Sequence, residues 1–276
     1  MKIERFDTGK KFVLSTILKN NRLDTYSRYI NYAKENDYKC CSMMEFYKDP
    51  DNGKHFVLRH DVDFRSPSTA KMFYVERDLG VHSTYYFRKS TLDVSLARLM
   101  IDNGFEVGFH YETLSDYALE NNLTSVSEKD IDCCKARLKE EIKEFNRLIG
   151  TNISSIVSHG AKKNIEIGKS NNLLLEGQNY EDYGVIFEGY DELLYEKHIT
   201  SHIMDGNIRR NYGYYYETNP IDEINQGKKN IVFLTHPNHW YKTFPQKLWN
   251  ILAFMLGRCS YGSTMKFNRV LKSEGA

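Results

Sequence analysis

The sequence predicts an α/β domain built on parallel strands with helices packed over them. Three observations carry that reading. Short apolar, β-branched runs alternate with amphipathic stretches of helical length, several of those stretches close on a glycine, and four of the apolar runs finish on His or Asp. In chain order, "RLDTYSRYINYAKEN" at about 22–36 reads as a helical preface, and "FVLRHD" at 56–61 as the first strand. "PSTAKMFYVERDLG" reads as a helix with Pro67 in its first turn and Gly80 closing it. "HSTYYF" (82–87) is aromatic and β-branched, as strands are; "DVSLARLMIDNG" is a helix ending at Gly104, and "FEVGFH" (105–110) is the next strand. The strongest helix is "SEKDIDCCKARLKEEIKEFNRLIG". Ser127 to Asp130 forms a capping box, Ile131, Leu138, Ile142 and Phe145 share a face, and Gly150 terminates it. "ISSIVSH" (153–159) and "NIVFLTH" (230–236) are further strands. Between them, "YGVIFEGY" and "EKHITSHIMD" read as strands among long loops, and "NYGYYYE" (211–217) as a packed strand.

Length and composition bound the function classes. A chain of 276 residues with no low-complexity segment, repeat or Gly/Pro/Ser linker is read as one domain over 1–276, with a helical preface over about 1–55. A net charge of +1 with no basic block argues against nucleic acid as a partner. No run reaches the roughly 18 apolar residues of a transmembrane segment. The first residues, "MKIERFDTGKKFVLST", lack the apolar core of a secretory signal, and five cysteines, four of them in adjacent pairs, make a poor disulfide framework. The expected location is therefore cytoplasmic. Twenty tyrosines would suit a sugar- or peptide-facing surface.

The chemistry sits at the strand ends. "VLRHDVD", "FEVGFH", "IVSH" and "VFLTH" each run from apolar residues into His or Asp. Ligands of parallel α/β sheets and barrels bind at the carboxyl ends of the strands, so Asp61, Asp63, His110, His159 and His236 are expected to converge. A strand's side chains alternate between faces, so Asp61 and Asp63 share one side and Val62 takes the other. A carboxylate with imidazoles suits a borderline divalent metal such as zinc, whose bound water is acidified toward a pKa of about 7. A second carboxylate can then take the proton, and a histidine can protonate the leaving group. The set describes metal-assisted hydrolysis.

Taken together in order, "FVLRHDVDF", "AKMFYVERDLGVHSTYYF", "NGFEVGFHYE", "IVSHG" and "VFLTHPNHW" resemble the polysaccharide deacetylase (NodB-homology) family over about residues 56–240. The resemblance implies a distorted (β/α)7 barrel and metal-dependent hydrolysis of an N-acyl amide, commonly on an amino sugar. The Asp-Val-Asp version is similar to that of deformylases acting on lipid-linked 4-amino-arabinose. Carried over, Asp61 becomes the catalytic base, Asp63 and His110 metal ligands, and His236 the catalytic acid. The implied cofactor is one divalent ion, zinc first, with cobalt or nickel as substitutes. Two departures stand out. The family's second motif usually carries two histidines four apart, and here the second position is Leu114; the third motif usually reads Arg-x-Pro-x-Gly, and here it is "SHGAKKN". His159 is the expected replacement ligand, with Glu112 a competing donor.

On the substrate side, Arg59 falls on the face of the Asp pair, where it could orient Asp61 by a charge-assisted hydrogen bond. His239 and Trp240 follow Pro237 and form either a sugar-stacking lip or, for the tryptophan, a barrel closure. Asp205 resembles a family position with a polar residue near the substrate, with a turn-forming Asp-Gly as the other reading. His60 points away from the Asp pair and is expected to be structural. The leading function is a hydrolase that removes an acetyl or formyl group from an amino sugar or glycan precursor. A barrel that binds carbohydrate without efficient chemistry, because its ligand set is incomplete, is the alternative, and hydrolysis of a non-sugar amide, as in allantoinase-like relatives, is a third.

Overall fold

The computed structural model describes residues 21–205 and 219–243. The "NYGYYYE" segment and the first residues lie outside them. Eight strands are described: β1 (Tyr38–Cys41), β2 (Lys54–Val62), β3 (Thr84–Phe87), β4 (Glu106–Tyr111), β5 (Ser155–Ser158), β6 (Phe187–Glu188), β7 (Ser201–Met204) and β8 (Asn230–Thr235). Seven of them follow the order β6-β5-β4-β3-β2-β8-β7, and every pairing is parallel. The strand β1 pairs with the first half of β2, so the preface is not purely helical: its Leu23–Glu35 helix leads straight into a strand of the sheet. Four residues, "YKCC", are too few to be separated from the end of a helix by period alone.

The sheet curls. Val57 on β2, Tyr86 on β3, Val157 on β5, Phe187 on β6 and Val232 on β8 belong to one buried cluster, which a flat sheet six strands wide could not assemble. The Nη1 of Arg59 on β2 also donates to the Gly189 carbonyl just past β6, at 2.8 Å. The result is a distorted (β/α)7 barrel, open between β6 and β7 among the described residues. Alternation on β2 sorts the side chains as its period requires: Val57, Arg59 and Asp61 face inward, while Phe56 and Leu58 pack outward under the preface helix with Ile231, Phe233 and Met72. On the other flank, the long helix Glu128–Ile149 has the expected Ser127/Asp130 capping box and ends on Gly150 at φ 86°. Its apolar face, Ile131, Leu138, Ile142 and Phe145, covers β4 and its neighbours.

The two uncertain strand regions resolve into short pieces. "YGVIFEGY" contributes only Phe187–Glu188, and "EKHITSHIMD" divides into the end of helix Glu192–His198 and strand β7. Few pairing partners reach these strands at the open seam, so little backbone is held extended.

The barrel interior is filled by polar as well as apolar groups. The Tyr86 ring lies across Gly108, its neighbour in register, and its hydroxyl bonds Ser155 Oγ at 2.8 Å. At the bottom, Glu106 accepts from Thr84 Oγ1, Ser155 Oγ and the Met44 amide, which together make an inward carboxylate tolerable. A Cβ on Gly108 would stand 2.4 Å from the Tyr86 ring and 2.8 Å from the Ser155 carbonyl. Gly108→Ala is therefore expected to destabilise the fold by about 1–3 kcal/mol or more through overpacking. Gly160→Ala, which would meet nothing within 4 Å, is the control. Denaturant midpoints of the two variants check the expectation.

Candidate metal centre

All five strand-end residues meet at one mouth. Asp63 lies just beyond β2, His110 near the end of β4, His159 just past β5 and His236 just past β8. The Asp63 Oδ1 atom is 3.4 Å from His110 Nε2 and 3.5 Å from His159 Nε2. Four donors around zinc at about 2.0–2.1 Å would be about 3.3–3.4 Å apart at tetrahedral angles, so both spacings match a shared ion. Asp63 Oδ1 is also buried without a hydrogen-bond partner, a costly state for a carboxylate oxygen unless something positive sits beside it. The donor set, one carboxylate and two imidazoles, suits zinc, cobalt or nickel.

The two imidazoles are backed by different groups. A carbonyl can only accept, so the 3.1 Å contact of His110 Nδ1 with the Val157 carbonyl puts the proton on Nδ1 and leaves the Nε2 lone pair toward Asp63. His159 Nδ1 faces Glu112 Oε1 at 2.8 Å, off the alignment of a straight hydrogen bond, and its Nε2 again faces Asp63. Glu112 is gripped by Arg88, Nε to Oε2 at 2.6 Å and Nη2 to Oε1 at 2.8 Å, and Arg88 Nη1 donates to the Asp63 carbonyl at 3.0 Å. Leu114 is fully buried in the apolar cluster beneath the helix Thr113–Glu120.

Asp61 stands beside this group, with Oδ2 3.7 Å from His110 Nε2. Arg59, entirely buried, holds it in a two-pronged grip, Nε to Oδ1 at 3.0 Å and Nη2 to Oδ2 at 2.9 Å. Burial alone would raise the Asp61 carboxyl, but the Arg59 charge and then His110 outweigh it and hold it well below the ordinary range. Tyr190 covers the guanidinium at 4.1 Å from its ring centroid. Arg59 thus orients Asp61 from inside the barrel and is not open to a substrate.

His236 is extended, at φ −112° and ψ 113°, as the following Pro237 requires. Its Nε2 is 3.6 Å from Asp63 Oδ2, and its Nδ1 is 2.8 Å from Asp205 Oδ1. Burial works to lower its pKa, but the hydrogen bond and charge of Asp205, with Asp61 and Asp63 behind it, raise it to about 9. Asp205 is itself buried. Its Oδ2 accepts from the His236 amide at 2.6 Å and Trp240 Nε1 at 3.0 Å, so it sits under His236 and does not face a substrate. His239 Nδ1 lies 3.1 Å from Asp205 Oδ1. Asp205, His236 and His239 cluster closely enough to resemble a second metal site, but the 2.8 Å contact of His236 Nδ1 is a hydrogen bond, and the same Asp205 oxygen stands 3.1 Å from His239 Nδ1.

Of the two roles open to it, Trp240 takes barrel closure and not substrate contact. It is buried among Tyr26, Tyr29 and Phe233, closing the barrel flank, and offers no sugar-stacking lip. His60 takes the structural position its parity implies. Nδ1 meets Thr235 Oγ1 at 2.6 Å and Nε2 meets Glu76 Oε1 at 2.7 Å. Sequence reasoning passed over Arg88 and Tyr190. Arg88 was within reach, being the polar residue directly after the "HSTYYF" run, like the other strand-end groups; Tyr190 follows a two-residue strand and carries no such signal.

No protein-family model and no curated protein matches the chain. Among solved structures it is similar to a CE4 family pseudoenzyme from Bacillus anthracis, at 13% identity and a TM-score of 0.42, over 75% of this chain and 62% of that one. A family 4 carbohydrate esterase from Streptomyces lividans aligns at 18% identity and a TM-score of 0.41, over 68% and 83% of the two chains. A peptidoglycan N-acetylglucosamine deacetylase aligns at 13% and 0.42, over 75% and 85%. This chain thus spans under two thirds of the first of these structures. At such distance the likenesses decide nothing about its chemistry.

The geometry separates the two His/Asp clusters experimentally. Titration with cobalt(II) or zinc is expected to give one ion per chain, lost or strongly weakened in Asp63→Asn, His110→Ala and His159→Ala. His239→Ala should bind as the wild type does; loss of the ion in that variant would move the centre to the Asp205 cluster.

Proposed function

We propose that the protein is a metal-dependent amide hydrolase that removes a small N-acyl group, acetyl or formyl, from an amino sugar or glycan precursor. One observation carries the reading: Asp63 Oδ1, His110 Nε2 and His159 Nε2 meet at metal-ligand spacing, flanked by an Arg-held carboxylate and an Asp-backed imidazole. An ion held by these three donors would supply Lewis acidity toward the acyl carbonyl and make a water ligand acidic. The chain's own groups do the rest. Asp61 stays ionised beside Arg59, and each of its oxygens keeps a lone pair outside the guanidinium fork with which to accept a proton from the attacking water. His236, kept protonated at neutral pH by Asp205, donates to the nitrogen of the departing amine, which leaves poorly until it is protonated. Arg59 and Asp205 hold the base and the acid in place. A reducing, cytoplasmic setting fits the free cysteines 40, 41, 133 and 134, and among the described residues no helix is long and apolar enough to cross a membrane.

Burial of Leu114 in the apolar core favours a second reading, a carbohydrate-binding barrel without efficient chemistry, because the ligand expected there is missing. Near-stoichiometric metal in the purified protein decides for the enzyme; metal-free protein that still binds sugar decides for the second reading.

Release of acetate or formate from a panel of N-acetyl and N-formyl amino sugars, free, nucleotide-linked and lipid-linked, tests the activity. On a substrate so found, Asp61→Asn is expected to keep the metal and lose most turnover, and His236→Ala to keep fold and metal while losing about 10²- to 10⁴-fold in rate. Wild-type turnover in either variant would remove that residue from the chemistry.

A further inference from the structure

We infer that Glu112 and Arg88 are positioning residues of the metal centre, and that they are what makes His159 serviceable in place of a ligand at position 114. This rests on the reading of Asp63, His110 and His159 as the metal ligands. Glu112 is the obvious rival for the third ligand, being an acid at the same mouth, but the geometry points elsewhere. His159 meets Glu112 through Nδ1 and Asp63 through Nε2. Those nitrogens lie on different edges of the ring, so Glu112 stands behind the imidazole as seen from the ligand cluster. Both Glu112 oxygens are already engaged by the Arg88 fork at 2.6 and 2.8 Å.

A carboxylate in that position has a specific effect. It favours the tautomer with the proton on Nδ1, leaves the Nε2 lone pair toward Asp63, and makes that nitrogen a stronger donor. His110 obtains the same bias from the Val157 carbonyl, which no side-chain substitution removes; His159 sits past the strand and depends on a side chain for it. Arg88 couples the two sides of the centre. Its fork fixes Glu112, and its Nη1 fixes the Asp63 carbonyl at 3.0 Å, so one guanidinium registers two ligands while touching no ligand atom. Lysine could not make these three contacts at once.

Cobalt(II) binding to the full chain, followed by affinity and by the visible spectrum at saturation, tests the inference. Glu112→Ala should weaken binding by about 10- to 100-fold, the usual effect of removing such a partner, and leave the saturated spectrum as in the wild type because the ligands are unchanged. His159→Ala should weaken binding and alter the spectrum. Thermal melts of the metal-free proteins check the fold. Should Glu112→Ala fail to fold, the isosteric Glu112→Gln carries the test, with binding about 10-fold weaker expected. Wild-type affinity in the folded variant would overturn the inference. So would a saturated spectrum altered as in His159→Ala, since Glu112 would then be a ligand. Failure of the wild type to bind cobalt at all would instead remove the metal reading beneath it.

Discussion

The pairing of Arg59 with Asp61 is the constraint on which the site depends. A guanidinium with no exposed surface inside a small barrel is tolerable only if its charge and donors are met. Asp61 supplies the charge, Gly189 a carbonyl, and Tyr86 and Tyr190 lie over the cation at 5.4 and 4.1 Å. Removing one partner of such a buried pair typically costs about 3–5 kcal/mol, because the other charge is left uncompensated. The pair therefore fixes the carboxylate against the barrel wall, and through Gly189 it ties β2 to the far edge of the sheet. Part of the curvature that assembles the mouth is maintained by the same side chain that orients the proposed base.

The opposite face of β2 carries a second polar knot. Glu76 accepts from Tyr26, Ser83 and Tyr85 and pairs with His60, whose other nitrogen meets Thr235 on β8. Burial pushes the Glu76 carboxyl upward, yet His60 and the Tyr26 and Tyr85 hydroxyls bring it below its usual value. His60 and Asp61 are consecutive, as are Thr235 and His236. The knot thus locks β2 and β8 in register directly behind the residues proposed as base and acid, and satisfies every buried polar group it introduces.

Much of this was legible in the sequence because it follows from period. Strand alternation placed Arg59, Asp61 and Asp63 on one side and His60 on the other, and the apolar-to-His endings of β4, β5 and β8 marked the mouth. The capping box at Ser127 and the glycine at 150 marked the longest helix. What period cannot encode was missed or left open. Trp240 follows a short exposed-looking loop, and its burial depends on the preface helix packing across β8. Asp205 shows its partnership with His236 only once β7 lies beside β8. Tyr190 reaches Arg59 only because the sheet curls. These are contacts between distant segments, and no local pattern announces them.

The three residues proposed as metal donors stand at the ends of three different strands, at positions 63, 110 and 159. Two histidines one helical turn apart would give even an unfolded chain a local chelate. The three residues assigned as donors include no such pair, so together they offer an ion little to hold until the sheet has curled. Binding by these three donors would then fall on the native state and shift the folding equilibrium by mass action, by about 2.7 kcal/mol when free metal is a hundredfold above the dissociation constant. With Leu114 buried in the core and no second donor beside His110, an ion held by these residues would be gained only as the fold is completed.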